Sequence, residues 1–167
     1  NTTVYDLIQT TAAINPGNSG GALLNKEGKL IGLCVIKIVS TEYEGMGFAI
    51  NSNTVKTIVE SIREYGYYNK PLLGVTINTA YTTTVADSQG WKRGAYVEDV
   101  TASSEKAGIK ADDIITKMND TDISSFAELR RFMLTCKPGE TVQVEVYRVD
   151  EDQTLSFEVV LDETEPY

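Results

Sequence analysis

The sequence predicts a mainly β protein with two helices, divided into two consecutive segments. Short apolar runs separated by glycine and asparagine occupy the stretch from Gln9 to Ile50, a pattern typical of consecutive antiparallel strands. Two later runs, Val142 to Tyr147 and Leu155 to Leu161, alternate apolar and polar residues, as half-buried strands do. Apolar residues at helical spacing occur in two other stretches, and these are the two predicted helices.

In the first segment the apolar runs predict four strands of an antiparallel sheet or barrel. The predicted strands are Ala12–Ile14, Ala22–Leu24, Leu30–Val39 and Met46–Ile50. The tetrapeptide Asn25 to Gly28 has the composition of a hairpin turn and is expected to join the second strand to the third.

A helix follows these strands. Its apolar residues fall at i, i+3, i+4, i+7 and i+10, which places them on one face: Val55, Ile58, Val59, Ile62 and Tyr65. Ser52 or Asn53 is expected to cap its start and Gly66 to end it. The hinge from Tyr67 to Pro71 then marks the domain boundary, because proline biases the preceding residue toward extended backbone. The predicted division is 1–52 for the first domain, 53–69 for helix and linker, 70–163 for the second domain and 164–167 for a tail.

The second segment is long enough for a complete small domain. Its predicted strands are Leu73–Ile77, Ala95–Val100, Ile114–Met118, Val142–Tyr147 and Leu155–Leu161. Ser125 and Glu128 form a capping box at the start of its helix, which should run to the Lys137 to Gly139 stop. The stretch from Asn78 to Arg93 is predicted as a polar loop.

The chain is acidic, with 15 Lys and Arg against 24 Asp and Glu and a formal net charge of −9. Neither nucleic acid nor an anionic membrane is therefore expected as its main partner. There is no histidine, so no mechanism that needs an imidazole can be completed within these residues. Cys34 and Cys136 lie far apart and form no CxxC pair, so we expect two buried free thiols, with no disulfide framework, metal site or cofactor.

The sharpest motif is the run from Asn15 to Gly21, which holds a serine among glycines. Glycines at 17, 20 and 21 let the backbone turn tightly while the hydroxyl of Ser19 stays accessible. Acyl transfer needs such an attacking oxygen close to N–H donors for the oxyanion. A plain glycine-rich turn between strands has the same composition, so the motif alone leaves both interpretations open.

The surrounding sequence adds a resemblance. Residues 9–14, the NPGNSGGALLN run, GKLIG at 28–32 and GMGFAI at 45–50 closely resemble the end of the protease domain of HtrA/Deg serine proteases, which has a trypsin-like barrel. The second segment looks like the PDZ domain that follows it, through LLGV at 72–75, GAYV at 94–97, AGI at 107–109 and DII at 113–115. The resemblance covers nearly the whole chain and is weakest from Asn78 to Arg93.

The resemblance implies roles around the serine motif. Ser19 is the expected nucleophile, in a loop with Gly17 and Asn18 whose Gly17 and Ser19 N–H groups would form the oxyanion hole. Asn18 stands where many trypsin-like proteases carry an aspartate, so activation by pairing with a new amino terminus is not expected. Ala13 and Ile14 would line the specificity pocket and favour small or medium apolar side chains. The alternative for both residues is plain strand core.

In the second segment the resemblance implies a peptide-binding groove. Leu72, Leu73, Gly74 and Val75 would be the loop that binds a terminal carboxylate, and the strand from Val75 would accept the peptide as an added strand. Leu129, Phe132 and Met133 would form the pocket for its last side chain, with buried core as the alternative.

Two glycines usual in the family are replaced here, by Asp112 and by Asp120. Aspartate tolerates left-handed backbone better than most residues, so both turns are expected to survive. Asp113 is expected to be a turn carboxylate.

The triad histidine and aspartate of the family have no counterpart here, so we expect the chain to be the carboxy-terminal part of a longer protease and to be inactive alone. The predicted function is an HtrA-like endopeptidase that degrades unfolded or damaged proteins, with peptide C-termini as PDZ ligands. A peptide-binding or regulatory module without chemistry is the alternative. A structural sheet protein with a chance GNSGG fits poorly, because two sets of motifs occur in the family's order. Extracytoplasmic location, a membrane tether upstream, a trimeric parent and self-association of this chain are further expectations.

Overall fold

A computed structural model describes residues 7–15, 17–37 and 47–164. It divides into two compact units, the first ending at Tyr67 and the second beginning at Tyr68. The mainly β class predicted from the sequence is confirmed, since two sheets account for most of the regular structure.

The first unit contains a four-stranded antiparallel sheet in the order β1-β4-β3-β2. Its strands are β1 Leu7–Thr10, β2 Ala22–Leu24, β3 Leu30–Lys37 and β4 Gly47–Asn51. The predicted hairpin turn joins β2 to β3: Gly28 N–H donates to Asn25 O at 3.0 Å, and the Asn25 side chain accepts from the amides of Glu27 and Lys29. The ends of two predicted strands, at 38–39 and at Met46, lie outside the described residues.

The predicted strand Ala12–Ile14 is wrong, because residues 11–15 form a loop and the first strand lies earlier, at β1. Local side chains occupy the backbone groups that a strand would pair. The Thr10 hydroxyl accepts from Ala12 N–H at 3.1 Å, and the Asn18 side chain donates to Ala13 O at 2.9 Å. Such contacts compete with a strand ladder.

Helix α1, Ser52–Tyr65, packs with β3 and β4. Its cap lies one residue before those expected: the Asn51 side chain accepts from Thr54 N–H at 2.9 Å. Gly66 ends the helix as predicted, with a φ of 83° and its N–H on Ile62 O. None of the residues of α1 is fully buried.

The second unit contains a sheet in the order β10-β9-β7-β6-β5, with β8 paired to β7. Its strands are β5 Val75–Ile77, β6 Ala95–Val100, β7 Asp113–Met118, β8 Thr121–Asp122, β9 Thr141–Arg148 and β10 Gln153–Val160. The predicted strands are present, the first shortened because residues 72–74 form a loop. Alternation in β9 is also as predicted: Val142, Val144 and Val146 are fully buried.

Three helices accompany this sheet: α2 Thr83–Gln89, α3 Ala102–Ala107 and α4 Phe126–Met133. The prediction of a loop from Asn78 to Arg93 is wrong, because α2 lies within it. The Thr82 hydroxyl caps α2 by accepting from Val85 N–H, Gly90 ends it, and Ala86 is completely buried. Tertiary burial thus stabilises a threonine-rich helix of low intrinsic propensity.

Helix α4 begins at the predicted cap, where the Ser125 hydroxyl accepts from Glu128 N–H. The Glu128 carboxylate reaches back one residue further than a capping box requires and accepts from the amide and hydroxyl of Ser124, both at 2.6 Å. The helix ends at Met133, earlier than the predicted stop at Lys137 to Gly139.

The core of the second unit lies on one face of its sheet. It includes strand residues, the loop residue Leu73 and Leu129 of α4. A smaller cluster holds Ile114, Tyr81 and Ala86, with Trp91 packed against them. Because neighbouring strand residues point to opposite faces, Ile114 and Ile115 belong to different clusters. Cys34 and Cys136 are buried free thiols, as predicted.

Candidate functional site

The serine motif forms a tight double turn between β1 and β2. Asn18 N–H donates to Asn15 O at 3.0 Å, and Gly21 N–H donates to Asn18 O at 2.8 Å. Gly17 and Gly20 have φ values of 104° and 82°, in the left-handed region that favours glycine. A Cβ on Gly21 would lie 2.8 Å from Asn18 O. The turn geometry thus explains the need for glycine at each of these positions.

Ser19 is exposed at the tip of this turn. Its hydroxyl donates to the carbonyl of Val35 on β3 at 2.9 Å. Two backbone bonds hold the turn against the same strand, from Gly20 N–H to Cys34 O at 2.8 Å and from Cys34 N–H to Gly21 O at 2.9 Å. The hydroxyl is therefore accessible on a fixed backbone, and its proton is directed at a carbonyl that cannot act as a base.

The two residues predicted to line a specificity pocket differ in environment. Ala13 is exposed, and its carbonyl accepts from the Asn18 side chain. Ile14 is buried and packs on β4, where a Cβ on Gly47 would lie 2.7 Å from its Cδ1 atom. Ile14 thus contributes to the core of the first unit, and the structure places only Ala13 on the surface beside the serine turn.

The predicted carboxylate loop begins with a two-residue bridge to the end of the chain. Leu72 N–H donates to Asp162 O at 2.9 Å, and Asp162 N–H donates to Leu72 O at 2.8 Å. The next residue, Leu73, has its side chain in the core and its carbonyl on the hydroxyl of Ser104. Both ends of this part of the loop are thus anchored to the domain.

Gly74 makes the sharp turn of the loop. Its φ is 75°, and its carbonyl accepts from Thr101 N–H at 2.8 Å. A Cβ at this position would lie 2.4 Å from Thr101 O. A larger residue therefore cannot be accommodated without moving the loop, since both the backbone angle and the close approach require glycine.

Strand β5, which follows the loop, is the last strand in the order of its sheet. It pairs with β6 through Val75, Thr76 and Ile77. Within the described residues its other edge has no strand partner. An edge strand of this kind can accept an extended peptide as an additional strand.

The three residues predicted for the apolar pocket on α4 are buried to different extents. Leu129 is 3% exposed and belongs to the core, whereas Phe132 and Met133 are partly buried and pack against it. The sequence prediction did not include Phe126 and Arg130, whose guanidinium lies 5.9 Å from the Phe126 ring centre. Their i,i+4 spacing on the predicted helix was the available signal.

The charge of Arg130 and the ion pair of Arg148 with Asp113 both affect pKa values in the second unit. Burial raises the pKa of Tyr68, four residues before Leu72, and the positive charge of Arg130 partly offsets that rise. Elsewhere in the second unit, Arg148 and Asp113 form a buried ion pair joined by two hydrogen bonds, each with an N···O distance of 2.8 Å. That contact raises the pKa of Arg148. Since the charge of Arg130 acts on Tyr68, it lies close to the segment that leads into the predicted carboxylate loop.

Among residues 7–15, 17–37 and 47–164, no three histidine, cysteine, aspartate or glutamate side chains gather where they could hold a metal ion. In the same part of the chain, every helix is too short or too polar to cross a bilayer.

Two domain families match the sequence. Residues 71–159 match the PDZ domain, and residues 1–33 match the trypsin-like peptidase domain.

Full-length relatives and solved structures give the same picture. The chain is 38% identical over 168 residues to the serine protease Do-like HtrA of Bacillus subtilis, covering 94% of this chain and 37% of that protein. It is 41% identical over 162 residues to the periplasmic pH-dependent serine endoprotease DegQ of Escherichia coli, covering 94% of this chain and 35% of that protein. The solved structure of HtrA-type protease AlgW with tripeptide is 30% identical and superposes with a TM-score of 0.76, over 98% of this chain and 55% of that one. The chain thus spans well under two thirds of each.

Proposed function

The chain belongs to the PDZ domain family, within the HtrA type of serine protease, and from that premise we propose that it binds peptide C-termini and forms part of an endopeptidase acting on unfolded or damaged proteins. The observation that carries this proposal is the loop at residues 72–74, where a left-handed glycine precedes the edge strand β5. The sequence match to HtrA and DegQ, both serine proteases by name, supports the catalytic part.

In the peptide-binding unit the roles follow from backbone chemistry. The N–H groups of the loop bind the terminal carboxylate, and β5 pairs with the main chain of the ligand. Phe132 and Met133 supply an apolar wall for the last side chain, while Leu129 supports them from the core. We expect micromolar affinity, about −8 kcal/mol, because a few main-chain bonds and one side chain must offset the ordering of the peptide.

Paired peptides test this role. One peptide ends in a free carboxylate after valine, and its twin is amidated. The 167-residue chain should bind the first and lose most affinity for the second. Gly74→Ala should abolish binding, because its Cβ would lie 2.4 Å from Thr101 O. Gly90→Ala is the matched control: Gly90 also has positive φ, at 69°, but its Cβ would meet nothing within 4 Å. Equal affinity for both peptides would refute the carboxylate loop.

For the catalytic role, Ser19 acts as the nucleophile and the turn from Gly17 to Ser19 binds the oxyanion. Loss of a single oxyanion donor costs about 2.7–4 kcal/mol of barrier in comparable enzymes. The sequence has no histidine, so the base must come from a segment outside residues 1–167. Ala13, exposed beside the turn, contacts the substrate side chain next to the cleaved bond, and Ile14 shapes that surface from beneath.

The catalytic role is tested in two proteins. Residues 1–167 alone should neither hydrolyse casein nor react rapidly with a serine-directed phosphonate, since Ser19 has no base. The longer protein that contains them should do both, and Ser19→Ala should remove both activities. Ser156→Ala, at an exposed serine on β10, is the control. Rapid labelling of Ser19 in the short chain would contradict the external base, and full activity of Ser19→Ala would favour the non-catalytic binding module.

Location and assembly are part of the same proposal. Because DegQ is described as periplasmic, we place the protein outside the cytoplasm, tethered by a segment outside this chain, in a trimeric parent.

The chain itself self-associates through α1, where Val59, Ile62 and Tyr65 are 47%, 46% and 49% exposed. Sedimentation over a hundredfold concentration range should show a mass increase that Ile62→Asp removes. A monomer at every concentration would refute it.

A further inference from the structure

Three consecutive carbonyls of the carboxylate loop accept hydrogen bonds from the domain itself. The donors are Asp162 N–H to Leu72 O, Ser104 hydroxyl to Leu73 O and Thr101 N–H to Gly74 O. In a trans peptide unit the C=O and the following N–H point in opposite directions. The N–H groups of residues 73, 74 and 75 are therefore turned away from these donors. The domain therefore holds the loop by its carbonyls, and these three amides face away from the contacts that hold it.

Ser104 differs from the other two donors. Asp162 and Thr101 donate through backbone amides, which any residue except proline would supply, whereas Ser104 donates through its side chain. Ser104 has no exposed surface. Its hydroxyl sets the orientation of the central peptide unit, which carries the N–H of Gly74.

The segment that holds Ser104 is itself tied to the other side of the loop. The amide and hydroxyl of Ser103 donate to the Asp162 carboxylate, at 3.3 and 2.9 Å, and Asp162 pairs with Leu72. Helix α3 also packs on β10. Ser104 therefore lies on a segment that is held by both Asp162 and β10. Rotation of the Leu73–Gly74 peptide unit requires breaking the hydrogen bond from the Ser104 hydroxyl to Leu73 O.

We propose that Ser104 is a positioning residue for carboxylate binding: its hydroxyl holds the Leu73–Gly74 peptide unit so that Gly74 N–H faces the terminal carboxylate of the ligand. This inference rests on the proposed peptide-binding function. Ser104→Ala leaves the Leu73 carbonyl buried without its donor and releases the peptide unit. The loss concerns the carboxylate alone, because the apolar wall and β5 do not depend on this hydroxyl.

The test compares two peptides that differ only in a carboxylate or amide terminus, each titrated into the 167-residue chain and its variants. We expect Ser104→Ala to weaken binding of the carboxylate peptide about tenfold, the value of one hydrogen bond to a buried carbonyl, and to leave the weaker binding of the amide unchanged. The ratio of the two affinities therefore falls. Val142→Ala, which opens a cavity at a fully buried position of β9, destabilises the same unit and should leave the ratio unchanged.

Each outcome decides a different statement. A wild-type ratio of one refutes the proposed carboxylate loop itself. A clear wild-type ratio that Ser104→Ala leaves unchanged, or an equal loss for both peptides, refutes the positioning role and leaves the loop standing. If circular dichroism shows that Ser104→Ala is unfolded, Ser104→Cys replaces it. A thiol is a weaker donor, so its ratio must lie below that of the wild type, and an unaltered ratio refutes the role.

Discussion

At the scale of single residues, the neighbouring aspartates Asp112 and Asp113 have different structural roles because their environments differ. Asp112 adopts a φ of 70° in the turn where the family usually has glycine, as expected from the sequence. At the second such turn the left-handed residue is Asn119, with a φ of 48°, and not Asp120. Asp113 is more than a turn carboxylate. It is completely buried, accepts from Lys110 N–H and binds the guanidinium of Arg148.

The ion pair of Asp113 and Arg148 gives a residue-scale prediction. Arg148 also donates to Gly108 O at 2.9 Å, so its removal leaves that carbonyl without this donor and the buried Asp113 carboxylate without its counter-charge. Arg148→Ala should lower the free energy of unfolding of the second unit by about 3–5 kcal/mol. Urea unfolding, followed by the fluorescence of the single tryptophan, Trp91, measures this change.

The matched control for this prediction is Lys110→Ala. Its ammonium lies 3.9 Å from Glu151, and both side chains are exposed, so the loss should stay below about 1 kcal/mol. If Arg148→Ala costs no more than Lys110→Ala, the buried pair is not what stabilises this region.

At the scale of elements, α4 depends on its first turn. Glu128 accepts hydrogen bonds from the hydroxyl and amide of Ser124, and these bonds lower the pKa of its carboxyl. The negative charge of Glu128 thereby lies near the N-terminus of α4, which is the positive end of the helix dipole. We therefore expect protonation of Glu128 at acid pH to destabilise α4, the helix that carries the apolar wall of the proposed groove.

The sign of the pH effect follows from the direction of that shift. A carboxyl whose pKa is lower in the folded state stabilises fully above its unfolded value, 4.5, and loses that contribution as pH falls through the folded value. Glu128→Gln should cost about 0.5–1 kcal/mol at pH 7. The difference from wild type should vanish at acid pH. Thermal unfolding from pH 7 to pH 3 checks this, and a difference that does not change with pH would contradict it.

At the scale of the whole molecule, each unit has its own sheet, and the core of the second unit is assembled from residues between Leu73 and Leu161. Among residues 7–15, 17–37 and 47–164, the largest fully buried side chains also lie in that unit. In the first unit the described sheet ends in short strands, and α1 has no fully buried residue. Stability is therefore concentrated after Tyr68.

This distribution predicts that residues 68–167 fold without the first unit. Trp91 lies in the small aromatic cluster of that unit, so its fluorescence reports only on the second unit. The excised unit should unfold cooperatively, with a midpoint within about 4 °C of that in the whole chain, a range that corresponds to about 1 kcal/mol. A much lower midpoint, or loss of cooperativity, would show that the second unit needs the first.

The sequence by itself determined those features that depend on local pattern. Alternation located β9 and β10, helical spacing located α1 and α4, and the glycine-rich run from Asn15 to Gly21 indicated the serine site. The carboxylate loop was expected from the family resemblance. Tertiary structure alone decided the features that join distant residues. Ser104 and Leu73 are 31 residues apart and Asp113 and Arg148 are 35 apart, while α2 depends on burial of Ala86 in a cluster with Tyr81 and Ile114. Periodicity reports which face of an element is apolar, but the partner of a buried polar group depends on which segments the fold brings together.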